Sequence, residues 1–175
     1  ILGVLTGGRT DIFRNNLFVP SKWKYVMEKK TSVDCILCAI RDKNPEVALL
    51  EVFRANGLIV SVNLYPYTSG HVIIFPERHV NDPRHLTPEE SENMHSMMKL
   101  SMDGIDNKYA PAGYNIGYNV GNAGGASIPH LHLHVVPRYG KELGIVDILS
   151  GSKIIIEDPT ITHRKLTEAF REVSI

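Results

Sequence analysis

The chain is poor in cysteine: among its 175 residues only Cys35 and Cys38 occur. Two cysteines this close cannot build the disulfide framework of a small secreted domain, so a reduced, cytoplasmic protein is expected. It also lacks an excess of either charge. Lysine plus arginine number 19, aspartate plus glutamate 19, and the formal net charge is zero. That balance argues against bulk electrostatic binding to nucleic acid or to a membrane surface. A local basic pocket for phosphate stays open. No apolar run approaches the roughly 20 residues of a membrane helix. The opening ILGVLTGG is apolar but short, with no basic stretch before it, so no secretory signal is expected. Internal repeats, low-complexity tracts, a Walker-type motif and a serine–histidine–aspartate set are all missing from the pattern. The length suits one domain around one sizeable core.

What is present reads as strands joined by tight turns, with one strong helix. Residues 1–30 form an irregular lead-in holding the only tryptophan, Trp23. Cys35 to Arg41 reads as a knuckle running into a short helical turn. Residues 48–53 and 58–63 read as strands, with Asn56-Gly57 between them as a hairpin turn. Tyr65 to Gly70 is loop chemistry, and residues 71–75 are the next strand, ended by Pro76. Thr87-Pro88-Glu89-Glu90 is a helix start: threonine cap, proline at the first position, glutamate three after the cap. Met94, Met97, Met98, Ile105 and Tyr109 follow at helical spacing and mark a core face. Pro111 and Gly113 end that region. Residues 114–120 alternate like a strand, 121–125 form a glycine-rich loop, and 131–136 are a strand ended by Pro137. Residues 140–160 look mostly irregular, and 162–173 form a terminal helix. The sum is α+β with an antiparallel sheet.

The informative stretch is Pro129-His130-Leu131-His132-Leu133-His134-Val135-Val136-Pro137-Arg138. On a strand, alternate side chains share a face, so the three histidines would point one way and the leucines into the core. Three imidazoles in a row beside a glycine-rich loop favour chemistry over structure. Two chemistries fit. One is metal binding. The other is nucleophilic attack at phosphorus by a neutral imidazole, with neighbouring imidazoles and backbone N–H groups holding the phosphate oxygens. The loop Gly121-Asn122-Ala123-Gly124-Gly125-Ala126-Ser127 permits the close backbone approach of a phosphate cradle.

The run His-Leu-His-Leu-His-Val-Val resembles the motif of the histidine triad (HIT) family. The likeness extends to Val62 through His71, to Pro76-Glu77-Arg78-His79, to Tyr114 through Gly121, and to Leu17 through Val26. The last is similar to the lead-in of bacterial diadenosine-tetraphosphate phosphorylase-like members. The resemblance implies a five-stranded antiparallel sheet with one long helix and a short terminal helix, usually paired as a homodimer. It divides the chain into a lead-in, 1–34, packing on the domain, and a nucleotide-binding catalytic domain, 35–175. It implies cleavage of a dinucleoside polyphosphate at the α-phosphorus of an adenine nucleotide. His132 would be the nucleophile, His134 would hold the phosphate, and the carbonyl of His130 would orient the His132 ring. Asn63 would contact the ribose, with Asn119, Gly125 and Ser127 near the phosphates.

One departure matters. Hydrolase members carry glutamine where Ala126 stands, so phosphorolysis by inorganic phosphate is favoured over hydrolysis. The alternatives are an adenylyl hydrolase or phosphoramidase on smaller conjugates, and a nucleotide-binding module with little turnover. Lys153 either binds that phosphate or is a solvated charge. Arg138 contacts phosphate or caps the strand edge. Cys35-x-x-Cys38 has metal-knuckle spacing. Family resemblance adds His79 and His130 as the other ligands, and thiolates select zinc over magnesium. A redox pair or two small buried thiols are the other readings. Magnesium enters only as an optional companion of the substrate. His71, at a strand start, reads as structural; His85, His95 and His163 read as solvated or locally bonded.

Overall fold

The computed structural model describes residues 33–140 and 157–173. The lead-in with Trp23, and Lys153 with the rest of residues 141–156, lie outside the described residues.

The sheet grows from the hairpin of β1 (Glu51–Ala55) and β2 (Leu58–Val62). Asn56 and Gly57 carry it at φ 51° and 72°. Both are left-handed, as a two-residue turn matched to the strand twist requires. β3 (Val72–Pro76) pairs with β2. β5 (Leu133–Arg138) then inserts between β3 and β4 (Gly113–Tyr118). The order is β1-β2-β3-β5-β4, every pair antiparallel.

Helix α2 (Pro88–Tyr109) begins with the expected capping box, Thr87 and Glu90 exchanging side-chain-to-backbone bonds. Two short helices flank the sheet, α1 (Ile36–Arg41) and α3 (Pro159–Val173). Period two divides the strands between two cores. Leu58, Val60, Val62, Val72, Ile74, Leu133 and Val135 meet Met94, Met97 and Ile105 of α2 and Leu166 and Phe170 of α3. Ile59, Ile73 and Phe75 face the other way, onto Leu37, Ala39 and Ile40 of α1. Gly104 of α2 faces the Phe170 ring of α3, and a Cβ there would make ordinary contact with it at 3.4 Å.

Several boundaries differ from the sequence reading, those of β2 and β3 by a single residue. β1 starts at Glu51 rather than 48, because residues 42–47 are tied in turns by Asn44 and the pairing is irregular between Glu51 and Phe53. α3 starts at Pro159, where Asp158 accepts from the Thr160 N–H at 2.8 Å. β4 is Gly113–Tyr118 rather than 114–120. β5 runs through Pro137 instead of ending before it. Beyond Val72 there is no β3 residue to need the missing N–H, and the Thr68 hydroxyl donates to the Pro137 carbonyl at 2.8 Å. Consequently His130 and His132 precede the ladder. Leu131 N–H turns to the Val80 carbonyl at 2.6 Å, and Pro76 offers no N–H to continue pairing.

Candidate active site and metal centre

Alternation carries past the strand end. Leu133 and Val135 belong to the α2–α3 core, so His134, Val136 and Arg138 lie on the opposite face. His132 reaches the same face, its ring 4.8 Å from that of His134 and edge-on to it.

Hydrogen bonds fix the proton positions ring by ring. The His132 Nδ1–H donates to the His130 carbonyl at 2.8 Å, which leaves Nε2 with its lone pair. His132 is buried, and burial holds its pKa below the usual imidazole range. A neutral ring with an unprotonated Nε2 is what nucleophilic attack needs.

His134 is set from behind by His71, which is wholly buried. The Tyr67 backbone N–H, which can only donate, points at His71 Nδ1 from 3.1 Å. The His71 proton therefore sits on Nε2, 3.1 Å from His134 Nδ1, and donates to it. His134 in turn carries its proton on Nε2, and the Asn119 Nδ2, 3.4 Å away, is a second N–H donor beside it. Burial, then the neighbouring His132, pushes His134 down to about 4. A neutral ring thus offers an N–H donor on the site face. Tyr67 stacks on His71 at 5.0 Å and 21°.

Asn63, expected at the ribose, stands beside His71, its Nδ2 3.3 Å from Nε2 and its Oδ1 accepting from Tyr65 N–H. Gly125, at φ 84°, ends a 3-10 turn; a Cβ there would come 3.9 Å from the Asn119 side chain. Ser127 is exposed two residues on. Asn63, Asn119 and Gly125 thus gather around the His71–His134 pair. The sequence reads His71 as structural; its contact with His134 is a tertiary feature which that reading does not contain. Gly70-His71 carried no chemical signal of its own; the pairing Ile73↔His134 brings it there.

His130 does not join the row. Its Nε2–H donates to the Pro76 carbonyl at 2.9 Å, and its ring turns to the cysteines. Burial pushes it down to about 4, so Nδ1 is bare. Cys35 caps α1 and Cys38 follows three residues later, one turn apart on one side. His130 Nδ1 lies 3.5 Å from Cys35 Sγ and 3.6 Å from Cys38 Sγ; His79 Nδ1 is 3.2 Å from Cys38 Sγ. Sulfur and nitrogen ligands of one tetrahedral ion, at about 2.3 and 2.0 Å from it, stand about 3.5 Å apart. All four ligand atoms fall within 4.8 Å of one another, so the set fits one metal ion. Burial, then Cys35, raises the Cys38 thiol, an environment that a cation would reverse. Among the described residues no carboxylate cluster for magnesium accompanies it. His85 and His95 are exposed, and His163 Nε2 donates to the Glu51 carbonyl at 2.8 Å.

The HIT domain family model matches residues 39–141. An AP-4-A phosphorylase of Mycobacterium tuberculosis is 33% identical over 86% of this chain and 81% of its own length. The chain belongs to the HIT domain family. A bis(5'-nucleosyl)-tetraphosphatase (asymmetrical) of Schizosaccharomyces pombe is 34% identical over 49% of this chain and 47% of its own. The fold is shared with a Zn-bound histidine triad family protein from Mycobacterium smegmatis. The TM-score is 0.66 at 23% identity, covering 81% of this chain and 96% of that one. Cys35 and Cys38 lie just before the segment that matches the HIT model.

In this HIT protein the three histidines divide into two groups. His132 and His134 face the site, while His130 gives its carbonyl to the His132 ring and its own ring to the cluster with Cys35, Cys38 and His79. Among the described residues no helix is long and apolar enough to cross a membrane.

Proposed function

We propose that this chain is a nucleotidyl transferase cleaving dinucleoside polyphosphates, such as diadenosine tetraphosphate, at the α-phosphorus. His132 Nε2 attacks, a covalent nucleotidyl-His132 forms, and inorganic phosphate resolves it. The observation that carries this reading is the 2.8 Å bond from His132 Nδ1–H to the His130 carbonyl, which presents an unprotonated Nε2 beside the His134 donor. The M. tuberculosis relative, named for phosphorolysis of such a substrate, supports the substrate class, and Ala126 supports phosphate over water as acceptor. His134 Nε2–H and the Asn119 amide hold the α-phosphate, with the backbone at Gly125 and the hydroxyl of Ser127 alongside. Asn63 approaches the ribose. The Cys35, Cys38, His79 and His130 group holds structural zinc, which the donor set selects. Thiolate ligands suit the reducing cytoplasm. The catalytic domain, 35–175, works as a homodimer.

A hydrolase reading is kept by the S. pombe relative, whose name is that of a tetraphosphatase. Product analysis separates the two. Diadenosine tetraphosphate giving ADP plus ATP only when phosphate is supplied supports phosphorolysis; AMP plus ATP regardless of phosphate overturns it.

A further inference from the structure

On the site face, the row that begins with His132 and His134 continues along β5 to Val136 and Arg138. Their partners on β4 share that face: Gly117 opposite His134, Asn115 opposite Val136, and Gly113 opposite Arg138. A groove of about 420 Å³ follows this row, walled by Tyr67 and Tyr118 and ending at Asn115 and Arg138. Its openness has a local cause. A Cβ at Gly117 or Gly113 would meet nothing within 4 Å, and α2 and α3 cover only the other face. At its far end the Arg138 guanidinium donates from Nη1 to Asn115 Oδ1 at 2.7 Å, which aims a long exposed side chain along the strand.

We infer that this groove binds the phosphates of the leaving nucleotide, and afterwards the inorganic phosphate that resolves the intermediate, with Arg138 as their cation. The inference rests on the reading of His132 as nucleophile. Displacement at phosphorus puts the leaving oxygen opposite the attacking nitrogen, so a group leaving from an α-phosphate held at His134 departs away from His132. That direction runs down the groove. His134 to Arg138 is four residues, about 13 Å along a strand. A triphosphate chain and one arginine side chain together cover that span.

The steps balance. His132 Nε2 forms a bond to the α-phosphorus. The bond from that phosphorus to the bridging oxygen breaks, and its electron pair leaves with the nucleoside triphosphate. In the second step an oxygen of inorganic phosphate bonds to the α-phosphorus. The phosphorus–nitrogen bond breaks and its pair returns to Nε2, giving the nucleoside diphosphate. The acceptor must enter on the side that the leaving group vacated. One cation therefore serves both halves, because arginine reads phosphate oxygens in a planar fork.

The test uses the full chain with two donors, diadenosine tetraphosphate and adenosine 5′-phosphoramidate, whose leaving group has no phosphate to reach Arg138. Arg138→Ala should lower kcat/KM for the tetraphosphate by about 10-fold or more, the worth of a charge-assisted bond. It should raise KM for inorganic phosphate and leave phosphoramidate hydrolysis within about twofold. Arg138→Lys should recover part of the loss and Arg138→Glu deepen it. Equal losses on both donors, or none, overturn the groove while wild-type turnover keeps the nucleophile reading intact. A changed oligomeric state in Arg138→Ala, seen by light scattering, also overturns it, as the mark of an interface between copies. If the wild type forms no nucleotidyl-His132 from either donor, the nucleophile reading itself fails and the groove falls with it.

Discussion

Replacing His71 by phenylalanine should cripple the site without touching the triad. The ring volume and the stack on Tyr67, at 5.0 Å, are kept, but both ring nitrogens go. Two groups are stranded: the Tyr67 N–H, 3.1 Å from Nδ1, and His134 Nδ1, 3.1 Å from Nε2. Each unsatisfied buried group costs about 1–3 kcal/mol, the low end applying to Tyr67, which is exposed. The functional loss is separate. Without a fixed donor behind it, His134 takes up its proton on either nitrogen. The form protonated on Nδ1 turns a lone pair, not a proton, toward phosphate. Losing a charge-assisted bond of about 1.5–3 kcal/mol lowers transfer about 10- to 150-fold. The assay is single-turnover formation of nucleotidyl-His132, read beside the ring nitrogen resonances of His134. An unchanged rate in His71→Phe refutes the reasoning, as does a wild-type spectrum with the His134 proton on Nδ1.

His132→Asn should abolish turnover and the covalent adduct while nucleotide affinity, measured by calorimetry, stays within a few-fold; residual wild-type turnover would sink the nucleophile. Elemental analysis should find one zinc per chain. Cys35→Ser or Cys38→Ser should release it and lower Tm, because the site ties α1 to the His130 segment; metal-free wild-type protein with an unaltered melt contradicts this. Thr87→Ala should cost about 1 kcal/mol in denaturant melts through the lost α2 cap. The acid limb of stability should come in two stages. His134, at about 4 when folded against 6.5 when free, takes up its proton more readily unfolded, so stability falls as pH drops from 6.5 to 4. Glu90, held at about 2 by Arg78 and the Thr87 N–H against 4.5 free, adds a loss from 4.5 to 2, which Glu90→Gln should remove.

Much of this was legible in one dimension because it is local. A capping box spans four residues, and Asn56-Gly57 encodes its own left-handed turn. The spacing of Met94, Met97 and Ile105 fixes the buried face of α2. The motif at residues 130–134 carried the family resemblance, and Cys35-x-x-Cys38 had the spacing of a metal knuckle. The boundaries of β1, β5 and α3 were not legible, since each is set by a partner elsewhere: a hairpin irregularity, the Thr68 hydroxyl, a side-chain cap.

By itself the sequence determined the fold class, the cap of α2, the hairpin, the histidine row and the cysteine pair, all consequences of neighbours along the chain. Only the tertiary structure decided which nitrogen of each ring carries a proton. That depends on the Tyr67 N–H meeting His71, on His71 meeting His134 across 63 positions, and on the Pro76 carbonyl claiming His130. Antiparallel pairing also decided that Arg138 lies down the same face as His132, at the end of an open groove. Hydrogen-bond partners and shared faces are relations in space, and the spacing of residues in one strand does not contain them.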